Sequence, residues 1–124
     1  MSSDQPETQR VDDDRPQSNC CPPVGHSLSD DELAADVQTL ATLGTDTRYE
    51  ALRLIAGADE AVCVCELEPA LGVSQGAVSQ ALSRLFSAGL VERRKEGRWR
   101  YYTTTPRVER LLDVLDETRE TPTD

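Results

Sequence analysis

The sequence predicts a mainly α-helical domain with one small β-hairpin, in the order α-α-α-α-β-β-α. Three observations carry this. Apolar residues recur at helical spacing in successive segments, as in Val78, Leu82 and Leu85. Capping and stop residues bracket those segments. Around Gly97 the pattern changes to two short strands about a turn.

Ser29-Asp30-Asp31-Glu32 has the form of a capping box, with Leu28 and Leu33 placed as a hydrophobic staple. A first helix should follow, with Leu33, Val37 and Leu40 on one face and Gly44 at its end. The second should start near Thr45-Asp46-Thr47 and run through Leu52 and Ile55 to Gly57, with Asp59-Glu60 a solvated turn. The third is short. Proline in a helix interior lacks an N–H and clashes with the carbonyl four residues back, here Cys65. Regular helix is therefore expected no earlier than about Glu66, or kinked at Pro69, and Gly72 closes it. Ser74 caps the fourth, with Val78, Leu82, Leu85 and Phe86 as its apolar side and Gly89 as its stop. Strands are expected at 90–94 and 98–104, joined by Lys95-Glu96-Gly97. Pro106 opens the fifth helix, with a stripe of Val108, Leu111, Leu112 and Leu115. Together these elements describe a winged helix-turn-helix.

Three regions follow. Residues 1–27 hold almost no large apolar side chains and contain Asp12-Asp13-Asp14, Pro16, Pro22 and Pro23. They read as a disordered, acidic, proline-rich arm carrying Cys20-Cys21. Residues 28–118 form the folded domain, and 119–124 a frayed tail. A domain this small gains from dimerisation, which buries more of its core. No apolar run approaches the ~20 residues of a membrane span. The N-terminus lacks a basic-then-apolar signal pattern. The expected compartment is the cytoplasm, where thiols stay reduced, and this argues against a pair of disulfides.

The net charge of −10 opposes binding to a polyanion, but its distribution does not. Residues 74–105 carry six basic and two acidic groups, a local +4 in an otherwise acidic chain. Local field decides where phosphate docks. Lys95 is the only lysine among thirteen basic residues. Acid excess with scarce lysine points to a cytoplasm of high salt, where counterion release would add little to DNA binding.

The fourth helix presents Ser74, Gln75, Gly76, Ser79, Gln80, Ser83 and Arg84 away from its apolar side. Most are short and uncharged, able to approach base edges in a major groove. A polar helix face alone would be equally ordinary. The hairpin decides between them: Arg93, Arg94, Lys95, Arg98 and Arg100 crowd around one turn, where phosphate or minor-groove contact explains the clustering.

Val62-Cys63-Val64-Cys65-Glu66-Leu67 places two thiols one residue apart at the entrance to this unit. Thiolates bind soft metals and metalloids. Residues two apart diverge on a regular helix but share a face in extended chain. If Pro69 holds the helix back, both sulfurs can meet one ion. The alternative is that these cysteines are small core residues. Cys20-Cys21 could donate further thiolates, act as a redox toggle, or be incidental. His26 reads as solvated.

At this point the chain resembles the ArsR/SmtB family of winged-helix metalloregulators. The segments that carry the resemblance are Thr47-Arg48, "VCVCEL" at 62–67, "ALGVSQGAVSQALSRL" at 70–85 and "AGLVERRKEGRWRYY" at 88–102. It implies a homodimer joined through the first and fifth helices, a fourth helix reading a palindromic operator, and a hairpin gripping the backbone of double-stranded DNA. It implies a repressor, not an enzyme, that needs no cofactor to bind DNA and is released by an inducing ion. The family's Cys-x-Cys site maps onto Cys63 and Cys65. Its arsenic-sensing members often carry a third cysteine three residues on, where this chain has Glu68. Other members supply thiols from an N-terminal arm, a role open to Cys20 and Cys21. A family zinc site on the last helix needs histidine and carboxylate ligands, and this helix has Glu109, Asp113 and Asp116 but no histidine. Arsenic(III) or antimony(III) on three thiolates is the expected inducer. Cadmium, lead or zinc, and a thiol redox switch on the same fold, are the alternatives. A metal buffer without DNA would leave the hairpin arginines unexplained, and a thiol reductase lacks an anion-cradling loop.

Overall fold

The computed structural model describes residues 21–120. The element order is α1 (Asp30–Leu43), α2 (Asp46–Ala56), β1 (Val62–Cys63), α3 (Val64–Leu71), α4 (Gln75–Ser87), β2 (Val91–Glu96), β3 (Trp99–Thr104) and α5 (Pro106–Thr118). The Ser29 capping box is formed in both directions. Glu32 N–H donates to Ser29 Oγ at 3.0 Å and Ser29 N–H donates to Glu32 Oε1 at 2.9 Å. A corner follows at Gly44. Arg48 fastens it by donating to the Thr42 and Ala41 carbonyls at 2.7 and 3.3 Å, near the end of α1, where Ala41 O also accepts the Gly44 N–H.

The core is built by α2, α3, α4, α5 and the sheet. Leu52, Leu67, Val78, Leu82, Leu85, Leu90 and Val108 are its largest fully buried side chains. The end of α4 is fixed by Gly89 at φ +75°, with Leu90 N–H donating to Leu85 O and Gly89 N–H to Phe86 O. That paired bonding needs a left-handed residue, which glycine supplies without strain. It sends the chain directly into β2.

The sheet differs from the expected hairpin in two ways. It has three antiparallel strands in the order β1-β3-β2, with Val62 opposite Tyr102 and Cys63 opposite Tyr101. A two-residue strand carries too little alternation to be read in sequence. The hairpin turn is also shifted. β2 runs on to Glu96, which pairs with Trp99, leaving Gly97-Arg98 as a two-residue turn. Gly97 sits at φ +63°, as the first position of a tight hairpin requires.

The third helix starts earlier than the proline argument implies. Regular helix begins at Val64, with Pro69 inside it. Cys63 is the reason. Its N–H donates to Glu66 Oε1 at 2.8 Å, and its Sγ accepts the Cys65 N–H at 3.4 Å. These two end bonds satisfy N–H groups at the helix start and offset part of the cost of Pro69, which has no hydrogen to give the Cys65 carbonyl. Among the described residues no helix is long and apolar enough to cross a membrane.

Candidate functional site

Cys63 ends β1 and caps α3, while Cys65 is the second residue of that helix. The sequence places the two side by side on extended chain. The backbone instead turns from strand to helix between them, and that turn also brings the sulfurs together. Cys65 Sγ–H donates to Cys63 Sγ at 2.9 Å. Cys63 is 6 % exposed, whereas Cys65 opens to solvent. The Cys65 thiol is pushed above its ordinary pKa, first by its hydrogen bond to Cys63, then by desolvation and the nearby charges of Cys63 and Glu66. Two soft donors in contact fit one thiophilic ion. Zinc–sulfur bonds of about 2.3 Å allow two ligands of one ion to lie up to ~4.6 Å apart.

Among the described residues no third His, Cys, Asp or Glu completes a three-ligand cluster. Glu68 is exposed on α3, and Cys21 is a free, exposed thiol. Cys20 lies outside the described residues. His26 is exposed, and its Nδ1 accepts the Leu28 N–H at 3.1 Å. Asp116 of the last helix is engaged with Arg53, whose Nη1 and Nη2 donate to it at 3.1 and 2.8 Å. That contact lowers the Asp116 pKa, with Arg119 adding to the effect.

All twelve residues read as DNA-facing are exposed, but the structure sorts them. Ser74 acts locally, because its Oγ accepts the Ala77 N–H at 3.1 Å and caps α4. Gln75, Ser79 and Ser83 line one wall of a cleft of about 380 Å³. The wing, the β2–β3 hairpin, supplies the facing wall with Arg93, Lys95, Arg98 and Arg100. Cys63, Val64 and Cys65 line the same cleft. Gly76, Gln80 and Arg84 lie outside that lining. So does Arg94, whose Nε pairs with Glu96 Oε2 at 3.0 Å.

Two further residues do not stand out in the sequence. Phe86 reads as core, yet it is partly exposed and lies 4.0 Å from the Arg93 guanidinium, tying wing to α4 by a cation–π contact. Trp99 is 49 % exposed at the wing tip beside Arg98. A lone tryptophan between two arginines is the signal that could have found it.

Residues 45–93 match the family described as bacterial regulatory protein, arsR family. The chain is 60% identical over 100 residues, 81% of this chain and 83% of its relative, to a Halobacterium salinarum protein named "Putative arsenical resistance operon repressor ArsR2". The chain belongs to the arsR family of transcriptional regulators. An arsenic resistance transcriptional regulator, ArsR1 of Pseudomonas putida, is 41% identical over 93 residues, 75% of this chain and 70% of that protein. The structure is similar to a homodimeric winged helix-turn-helix DNA-binding domain from Mycobacterium bovis. The TM-score is 0.65 at 29% identity, covering 81% of this chain and 98% of that one. As in other family members, the winged helix-turn-helix serves transcriptional regulation and not catalysis.

Proposed function

We propose that this chain is a homodimeric repressor whose operator binding is relieved when arsenite or antimonite is captured by Cys63, Cys65 and a thiol of the Cys20-Cys21 pair. The observation that carries this is the 2.9 Å approach of two thiols at the start of the helix that supports α4. The relatives named for arsenical resistance support the choice of ion. Protonated thiols suit it as well. Arsenious acid and two thiols yield a bis(thiolato)arsenic hydroxide and two waters, with no net proton released. A third thiol would displace the last hydroxide as water.

The dimer reading rests on two uncovered apolar faces, Leu33, Val37 and Leu40 on α1 and Leu111, Val114 and Leu115 on α5. Exposed apolar surface of this kind marks an interaction face. Arg107 donates to Thr39 Oγ1 at 3.1 Å and joins the two helices into one surface. In the dimer, two copies of α4 would stand about one DNA turn apart, ~34 Å, matching a palindromic operator.

Ion capture acts through α3. A sulfur bound to an ion is drawn away from the Cys65 N–H that it now accepts. The ion then holds the entry segment of α3, and ion binding and DNA binding oppose each other reciprocally.

The test is operator release titrated with arsenite, antimonite, cadmium, lead and zinc under reducing conditions. We expect the trivalent metalloids to release DNA from the parent protein. Cys63→Ser should bind operator and ignore the inducer, because serine is a poor soft-ion ligand. Normal induction in Cys63→Ser would sink this reading. Single arm substitutions should be partly rescued by the neighbouring thiol, and only the Cys20→Ser/Cys21→Ser double variant should lose the response. The contact between the two sulfurs also suits a disulfide-forming redox switch, and release by peroxide with none by arsenite would favour that reading.

A further inference from the structure

The thiol pair and the reading helix do not occupy separate sites. Cys63 and Cys65 form one wall of a cleft whose other walls are α4 and the wing. We propose that a backbone phosphate of the operator seats in this cleft on Lys95 and Arg100 and closes it over the thiols, so that DNA and inducing ion exclude each other directly. This rests on the reading of Cys63 and Cys65 as the inducer site.

The wing itself points to an anion. Lys95 and Arg100 are directly opposed in the β2–β3 register. Like charges at opposed positions destabilise a sheet. Neither has an ion-pair partner among the described residues, and both face the cleft. Arg94, one residue along from Lys95, is neutralised by Glu96. The wing therefore leaves its positive charge uncompensated at the cleft, and a phosphate oxygen on both cations would turn their repulsion into two charge-assisted hydrogen bonds. The sugars flanking that phosphate would then lie across the mouth of the cleft. Cys63 is almost buried already, and Cys65 would lose its path to solvent.

A kinetic consequence separates this from stripping of bound repressor by the ion. If the operator covers the thiols, arsenite captures only free protein. Release at saturating arsenite should then proceed at the rate of spontaneous dissociation, whatever the arsenite concentration.

Two measurements test it on the full-length dimer. The first compares operator release under excess unlabelled operator with release under rising arsenite. Equal, concentration-independent rates are expected, and a rate that climbs with arsenite would overturn the proposal. The second follows alkylation of Cys65 by iodoacetamide, resolved by mass spectrometry, with Cys21 as internal reference. Saturating operator should slow Cys65 about tenfold or more, since access limits the reaction, and leave Cys21 little changed. The Lys95→Ala/Arg100→Ala variant, held at saturating DNA, should lose most of that protection. Unchanged Cys65 labelling on DNA would overturn the proposal, and so would full protection in the variant. If arsenite fails to release operator at all, the inducer reading falls, while Cys65 protection still decides the shared cleft.

Discussion

Helices α1 and α4 carry the same kind of apolar stripe and meet opposite fates. In α4, Val78, Leu82 and Leu85 are 0 % exposed against α2, α3 and the sheet. In α1, Val37 is 56 % and Leu40 71 % exposed. The residues α1 buries are Thr39 and Thr42, whose hydroxyls donate to the Ala35 and Gln38 carbonyls. Helical periodicity shows which face avoids water. It does not show whether the same chain covers that face.

The contrast can be broken from either side. Leu82→Ala should cost about 2–5 kcal/mol of stability, because it opens a cavity in a packed core. Urea denaturation at fixed protein concentration measures this, and a loss below about 1 kcal/mol would place the core elsewhere. Leu40→Asp should do the reverse, leaving the fold of each protomer intact while splitting the dimer. Sedimentation at micromolar concentration should show monomer, and operator affinity should fall by more than tenfold, ~1.4 kcal/mol. A dimer that survives the change would remove α1 from the interface.

The wing repeats the contrast with charge in place of apolar surface. Arg94 pairs with Glu96, and Arg100 has no ion-pair partner among the described residues. Arg100→Ala should lower the salt dependence of DNA binding by about one unit of slope. Arg94→Ala should change it less, since Glu96 already neutralises that cation. Equal effects would mean the Arg94–Glu96 pair opens on DNA.

The smallest effect belongs to Asp116, which ties α5 to α2 through Arg53. Its pKa is held below the usual 3.8. The stabilisation is therefore present at neutral pH and fades as pH falls through the folded-state value. Asp116→Asn should lower the thermal midpoint slightly at pH 7, and the gap from the parent should close below about pH 4.

Much of this is written locally. Ser29 with Glu32, Ser74, Gly89 and Pro106 mark helix ends because each acts through bonds to its own neighbours. Features that depend on distant partners are hidden. β1 exists because Val62 and Cys63 pair with β3, some forty residues later. The contact that ties Phe86 to the wing depends on Arg93, which comes from another element. The meeting of Cys63 and Cys65 is legible, but the geometry behind it is not. Proline spacing sets a limit on the helix start only while no cysteine acts as a cap, and here one does. The shared cleft is not legible at all, since its walls come from three separate stretches of chain.

The opposed Lys95 and Arg100 also bear on the medium in which this wing holds its shape. Side chains at opposed strand positions stand about 5 Å apart at Cβ. Electrostatic screening reaches ~10 Å in 0.1 M salt and shrinks to ~3 Å in 1 M. In dilute buffer the two cations therefore push the strand ends apart, and in molar salt they scarcely sense each other. An acidic chain with one lysine thus has a hairpin whose cross-strand repulsion weakens as its surroundings become more saline. Concentrated electrolyte, which weakens the wing's hold on phosphate, also relieves this repulsion in the wing.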